Sequence, residues 1–317
     1  MRGLTVALFT ALTVVGCSAL GSLSSPSPSP IPTPTSTPSP SPSLPPSPTP
    51  SPSPTPKPTP SSTIGSSFYL RAWYTQALAP RYTFSWLPML TIVDGKAIDG
   101  NVAIPMIYPG PLMVLPVERW ITDAGTGAIL DEARRLGLLT GSGDFTGGHP
   151  MAGGRLAQLE LIVDGQRYDL TGDPSLVVNC TDGRCDAEPG TPEAFAAFWQ
   201  ELGNLDAWLG DELGQSSQYK PERLAILLTA AAADEPPLTP LPMTWPLDTP
   251  LDRVGVPFPG EAGARCLTVT GDDLAVLLPM LQSANQLSTF VDAAGNKRAP
   301  VVAVLVPGED SPCPDGG

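Results

Sequence analysis

Leu90-Thr91-Ile92-Val93-Asp94-Gly95-Lys96-Ala97-Ile98 is the stretch whose reading decides the fold class. Two apolar, β-branched runs flank an Asp-Gly pair, the preferred type I′ turn because both central residues need positive φ. A second copy follows as Leu161-Ile162-Val163-Asp164-Gly165-Gln166-Arg167-Tyr168-Asp169. A looser third, Thr289-Phe290-Val291-Asp292-Ala293-Ala294-Gly295-Asn296-Lys297, leads into the apolar run from Val301 to Val306. Three hairpins fix local antiparallel pairing. Upstream, residues 68–74 and 81–86 are rich in aromatics, alternate, and read as strands.

Single helices separate the hairpins. Residues 123–136 follow Thr122, place Ile129, Leu130, Ala133 and Leu136 on one face, and stop at Gly137. The strongest pattern is 191–213, with Thr191 as N-cap, Pro192 at the first helical position and Gly214 beyond the end. Its apolar residues Phe195, Phe198, Trp199, Leu202, Leu205, Trp208, Leu209 and Leu213 recur at threes and fours, the spacing of a buried helix face. A third helix starts at Thr270, with Asp273 as a short capping-box analogue, and Pro279 is expected to kink or end it early. The reading is α+β: antiparallel hairpins and sheets with single helices packed on one face, a rhythm compatible with a duplicated hairpin–helix unit. The Gly214-Gln215-Ser216-Ser217-Gln218 stretch suggests units at 64–214 and 215–317, which could also form one domain.

Before residue 64 the chain changes character. Met1-Arg2-Gly3 is a basic start, residues 4–15 are apolar, and Val14-Val15-Gly16-Cys17 closes the run. That run is too short to span a bilayer and fits an exported signal, 1–16. Small residues before Cys17 resemble the lipobox of bacterial lipoproteins, which implies a lipid on Cys17 and a membrane-anchored, extracytoplasmic protein. An ordinary signal peptide with an incidental cysteine is the alternative. Of 41 prolines, 17 lie between Pro26 and Pro60, and a segment of Ser, Thr and Pro cannot bury enough apolar surface to offset ordering entropy. Residues 17–63 therefore read as the lipidated cysteine and a disordered spacer. In polyproline II form it would reach on the order of 100 Å.

Five cysteines leave four once Cys17 is lipidated: Cys180, Cys185, Cys266 and Cys313. In an oxidising compartment these are expected to form disulfides, with three pairings open. Cys180–Cys185 encloses an Asp-Gly turn and is easily closed, whereas Cys266–Cys313 would tie down the C-terminus. A zinc site lacks both spacing and histidines.

The formal net charge of −14 repels phosphate backbones, so nucleic acid is not an expected partner. Gly141-Ser142-Gly143-Asp144-Phe145-Thr146-Gly147-Gly148-His149 is glycine-dense but has neither a phosphate-loop lysine nor the dinucleotide spacing, and reads as a flexible connector. Asp144 and His149 are the first pair to consider for acid–base work. No Gly-x-Ser-x-Gly elbow occurs, and Ser217-Gln218-Tyr219-Lys220 lacks the companion motifs of penicillin-recognising enzymes. The adjacent carboxylates Asp131/Glu132, Asp211/Glu212 and Asp272/Asp273 would diverge on helices; calcium stays an option around Asp169, Asp173 and Asp182, although no loop has the ligand spacing of an EF-hand and a solvated acidic surface is the expectation. No cofactor is expected. Tyr108 in Tyr108-Pro109-Gly110-Pro111-Leu112 and Trp245 in Thr244-Trp245-Pro246-Leu247 are the candidate surface aromatics, because proline holds them on rigid, non-helical backbone.

The order of these features resembles an uncharacterised family of secreted proteins and lipoproteins from actinobacteria and their neighbours. The resemblance runs through Leu70-Arg71-Ala72-Trp73, Ile92-Val93-Asp94-Gly95-Lys96, Ile107-Tyr108-Pro109-Gly110-Pro111 and Ala133-Arg134-Arg135-Leu136-Gly137-Leu138. It continues through Val163-Asp164-Gly165, Arg265-Cys266-Leu267-Thr268-Val269-Thr270-Gly271 and Val306-Pro307-Gly308-Glu309. It implies export and one continuous fold, and carries no catalytic residue with it. The expected function is binding of a protein or envelope component by a lipid-anchored module. A secreted hydrolase using carboxylates, or an inhibitor or immunity-type module, is the alternative.

Overall fold

The computed structural model of the chain describes residues 68–75, 78, 80–103, 107–148, 155–231 and 241–314. The chain divides into units Met1–Pro58 and Thr59–Gly317, and all described residues lie in the second. Cys17, the signal segment, the spacer and His149 fall outside the described residues.

In chain order the first seven strands are β1 (Tyr69–Thr75), β2 (Leu90–Val93), β3 (Lys96–Asp99), β4 (Val117–Trp120), β5 (Gly143–Phe145), β6 (Leu156–Val163) and β7 (Gln166–Gly172). A separate hairpin, β8 (Asn179–Thr181) and β9 (Arg184–Asp186), precedes β10 (Ser217–Gln218). The rest are β11 (Arg223–Ala230), β12 (Leu241–Thr244), β13 (Val256–Pro257), β14 (Arg265–Thr270), β15 (Ser288–Val291) and β16 (Lys297–Leu305). Helices are α1 (Pro80–Thr83), α2 (Asp123–Arg135), α3 (Pro192–Leu202), α4 (Leu205–Leu209) and α5 (Gly271–Ser283). One sheet runs β10-β4-β3-β2-β1-β6-β7-β5 and the other β12-β15-β16-β11-β14-β13. Every pairing is antiparallel except β5 with β7 and β12 with β15, so the protein is α+β as its hairpins imply.

The Asp-Gly turns set the local registers. Asp94 and Gly95 have φ of 50° and 70°, Asp164 and Gly165 have 51° and 81°, and Asp182 and Gly183 have 50° and 76°. All three are tight turns with both central residues left-handed. At Gly183 an added Cβ would come within 2.5 Å of the Ala207 carbonyl carbon, so only glycine lets the β8–β9 tip lie against α4.

On the first sheet, Leu70, Ala72, Leu90, Ile92, Leu159, Leu161 and Leu170 face α2 and α3 in one buried cluster. Two caps agree with the sequence, Thr122 Oγ1 accepting from Gly125 N at 3.1 Å and Thr191 Oγ1 from Ala194 N at 3.2 Å, whereas Thr270 precedes α5 without a side-chain cap bond. The second sheet is buried on both faces. Leu224, Ile226 and Leu228 of β11 meet Leu274, Leu277 and Leu281 of α5, while Ala225 and Leu227 face Phe84, Phe258 and Cys313. Ile98 of β3 and Met113 belong to the α5-side cluster, so first-sheet and second-sheet residues share a core.

Four expectations are corrected. Residues 81–86 do not form a strand: Pro80 opens the helical turn α1, and Phe84 then drops into the second-sheet core against Phe258, 5.9 Å between ring centres. The 191–213 helix breaks after Leu202, because Gly203-Asn204 are poor helix formers; α4 resumes at Leu205 and Gly210, at φ 52°, ends it. Helix α5 passes Pro279 and continues to Ser283, because Leu281 extends its buried stripe. The glycine-dense connector contains edge strand β5, held where the Phe145 ring stacks 6.0 Å from Phe195.

Candidate functional site

The residues singled out in the sequence do not gather. Asp144 is exposed, and its Oδ1 accepts from Thr146 N at 2.8 Å; bonds from Thr146 hold the carboxyl below its usual range. Tyr108 is 64% exposed, as a surface aromatic should be. Trp245 is not: it is 5% exposed, its Nε1 donates to Thr249 O at 2.8 Å, and its ring packs 5.2 Å from Phe290. The flanking prolines rigidify the backbone but do not expose the indole, which is anchored by burial plus one hydrogen bond.

The four described cysteines pair as Cys180–Cys185 and Cys266–Cys313. Such bonds persist in oxidising, extracytoplasmic compartments. Among the described residues no helix is long and apolar enough to cross a membrane, and no group of three or more His, Cys, Asp or Glu could hold a metal.

Two places carry chemistry. The first is an open cavity of about 580 Å³ between β13, the following loop and the starts of β14 and β16, with Asp252, Phe258, Glu261, Arg265 and Arg298 in its walls. Arg265 is fixed there by backbone carbonyls: Nε donates to Val254 O at 2.6 Å, and Nη2 to Gly255 O at 2.5 Å and Arg253 O at 3.1 Å. The side chains of Arg298 and Asp252 take part in no hydrogen bond or ion pair among the described residues. The cavity lining therefore offers a guanidinium and a carboxylate without a side-chain partner among the described residues. That combination suits a ligand bearing both an anion and an amine.

The second place is buried beneath the β8–β9 hairpin. Glu132 of α2 and Glu201 of α3 are each 1% exposed. Arg135 and Arg184 both bond Glu132, and Arg184 Nε lies 3.6 Å from Glu201 Oε1. Both backbone groups of Cys185 are held: its N–H donates to Glu201 Oε1 at 2.6 Å, and its carbonyl accepts from Arg135 Nη2 at 2.8 Å. Burial pushes the Glu201 carboxyl up to about 7, against the pull of the Cys185 N–H and the two arginines, and Glu132 pushes it further. A carboxyl raised on folding favours the folded state while protonated, so its contribution is lost as pH rises from about 4.5 through about 7. Two acids converge here as a hydrolase would require, but the arginines and the hairpin shut them from a substrate. Sequence spacing could not bring Glu132 and Glu201 together. The only signal was an acid at 201 amid the apolar stripe of Phe198, Trp199 and Leu202.

The other face of the first sheet carries a row of facing residues, Glu118, Ile98, Thr91, Arg71, Glu160 and Asp169. Arg71 Nη2 reaches Glu309 Oε1 at 3.1 Å and Arg167 Nη1 reaches Glu160 Oε1 at 3.0 Å. Desolvation raises the Tyr69 hydroxyl to about 12 and lifts Glu309 above its usual range. These charges serve the packing of the last strand's exit.

The chain matches no family model, no curated protein and no solved structure.

Proposed function

We propose that the chain is a lipid-anchored extracytoplasmic binding module of the cell envelope, akin to the actinobacterial secreted proteins and lipoproteins whose motif order it resembles. The address is supported by Val14-Val15-Gly16-Cys17 after a short apolar run, and by two disulfides that need an oxidising compartment. The binding half rests on one observation: the open cavity in which the Arg298 and Asp252 side chains have no partner among the described residues. Their opposite charges favour a ligand with a carboxylate and an amine, as peptide-bearing wall polymers present. The partners in this reading are the membrane, through lipid on Cys17, and an envelope component at the cavity.

Anchoring is checked by Cys17→Ala in the exporting cell. The variant should leave the membrane fraction and lose lipid labelling, accumulating as precursor or released protein; unchanged fractionation and labelling would reject the lipoprotein reading. Binding is checked by co-sedimentation of the full chain with purified wall sacculi. Arg298→Ala should weaken the apparent affinity in a sacculus titration about tenfold, the effect of deleting one charge-assisted contact. Equal sedimentation of both proteins would remove the cavity from the reading, and no sedimentation of the wild type would remove wall binding altogether.

A further inference from the structure

The two disulfides occupy opposite environments. Cys266 and Cys313 are both buried, in the cluster with Phe84, Phe258 and Leu305. Cys180 and Cys185 stand directly opposite each other on β8 and β9, with Cys180 exposed and Cys185 buried. Cys180 is thus the open side of the pair, its Sγ 3.4 Å from Gln200 Oε1, while Cys185 is enclosed beside Glu201, whose carboxyl takes its backbone N–H. Glu201 Oε1 is 2.6 Å from Cys185 N, and its other oxygen is buried with no hydrogen-bond partner among the described residues.

We propose that Cys180–Cys185 is a thiol–disulfide exchange site for exported dithiols, with Glu201 moving the proton of Cys185. Exposure directs attack to Cys180. A thiolate of the dithiol attacks Cys180 Sγ, forming a mixed disulfide and breaking the Cys180–Cys185 bond. The bonding pair leaves on Cys185 Sγ, which takes the proton of the neutral Glu201 carboxyl. The dithiol's second thiolate then attacks its own sulfur in the mixed disulfide, expelling Cys180 as thiolate, which is protonated from solvent. The dithiol becomes a disulfide, and its two electrons reside on the hairpin cysteines. Run backwards, the same steps oxidise the hairpin at the expense of a partner disulfide.

The surroundings suit a site that must survive its own reduction. The hairpin keeps the Cys185 backbone bonds to Glu201 and Arg135, and Gly183 lies against Ala207, none of which needs the S–S bond. The charged groups facing Glu201 are Glu132 and Arg135 from α2 and Arg184 from β9, with Asp186 acting on Arg135. Burial keeps enough of the carboxyl protonated near neutral pH to supply a proton and take it back.

The test uses the full oxidised chain, dithiothreitol as the dithiol, timed alkylation and peptide mass spectrometry. Cys180–Cys185 should open at least about tenfold faster than Cys266–Cys313, with the circular dichroism spectrum unchanged. Equal rates, or opening of Cys180–Cys185 only in denaturant, would overturn the site. Corrected for the thiolate fraction of the reagent, the wild-type rate should fall several-fold from about pH 6 to about pH 8, and Glu201→Gln should flatten that fall. A flat wild-type profile, or an unchanged fall in Glu201→Gln, would overturn the part assigned to Glu201. Should the variant not fold, the wild-type profile decides.

Discussion

Trp199→Ala is expected to lower folding stability by about 3–5 kcal/mol, read from urea or thermal unfolding. The indole is buried, lies edge-on to Tyr74 at 4.9 Å, stacks on Phe195 at 6.2 Å, and donates from Nε1 to Tyr74 Oη at 3.3 Å. Deletion removes apolar contact with β1 and along α3 and leaves the Tyr74 hydroxyl without its donor. Neighbours on β1 and on α3 itself cannot close the gap without moving the sheet. Thr191→Ala supplies the scale: it loses one capping bond and should cost about 0.5–2 kcal/mol. An equal or smaller loss at Trp199 would mean that this face of α3 is a surface groove and not core.

Removing Cys266–Cys313 is the second large effect. The bond closes a loop with a sequence separation of 47, and chain-entropy arguments put its contribution at about 4 kcal/mol. Replacing both cysteines with alanine keeps the site apolar, so the change reports mainly the freed unfolded chain and the loosened C-terminal cover over Leu305 and Phe84. Calorimetry of the double variant should show a clear fall in Tm. A loss below about 1 kcal/mol would show that the segment around Cys313 stays docked without its covalent tie.

The parts of the fold that were legible in sequence are those fixed within a few residues. Asp-Gly at 94–95, 164–165 and 182–183 demands positive φ twice over, and no tertiary contact is needed to infer the turn. Thr122 and Thr191 cap the helices they precede for the same local reason. Readings failed where distant packing overrides local preference. Phe84 is drawn into a core built by residues 225–313, which turns an apparent strand into a helical turn. Trp245 looks exposed between prolines, until Phe290 arrives to cover it. The α3 stripe was readable, but the break at Gly203-Asn204 was missed because the apolar period runs straight through it. The Glu132–Glu201 cluster was unreadable, since its members come from separate helices and a hairpin. Its cavity counterpart, Arg298 with Asp252, likewise depends on a strand and a turn that lie far apart in sequence.

The position of β1 has a mechanical consequence. It is the first strand among the described residues, yet it lies inside the first sheet, bonded to β2 from Tyr69 to Ala72 and to β6 from Tyr69 to Thr75. A pull arriving along the chain from residues before Phe68 therefore acts along a strand gripped on both sides. Its hydrogen bonds lie across the line of force and are loaded together in shear, whereas an edge strand such as β5 could be peeled away one bond at a time. Tension entering from that side would be met first by the strand best placed to bear it.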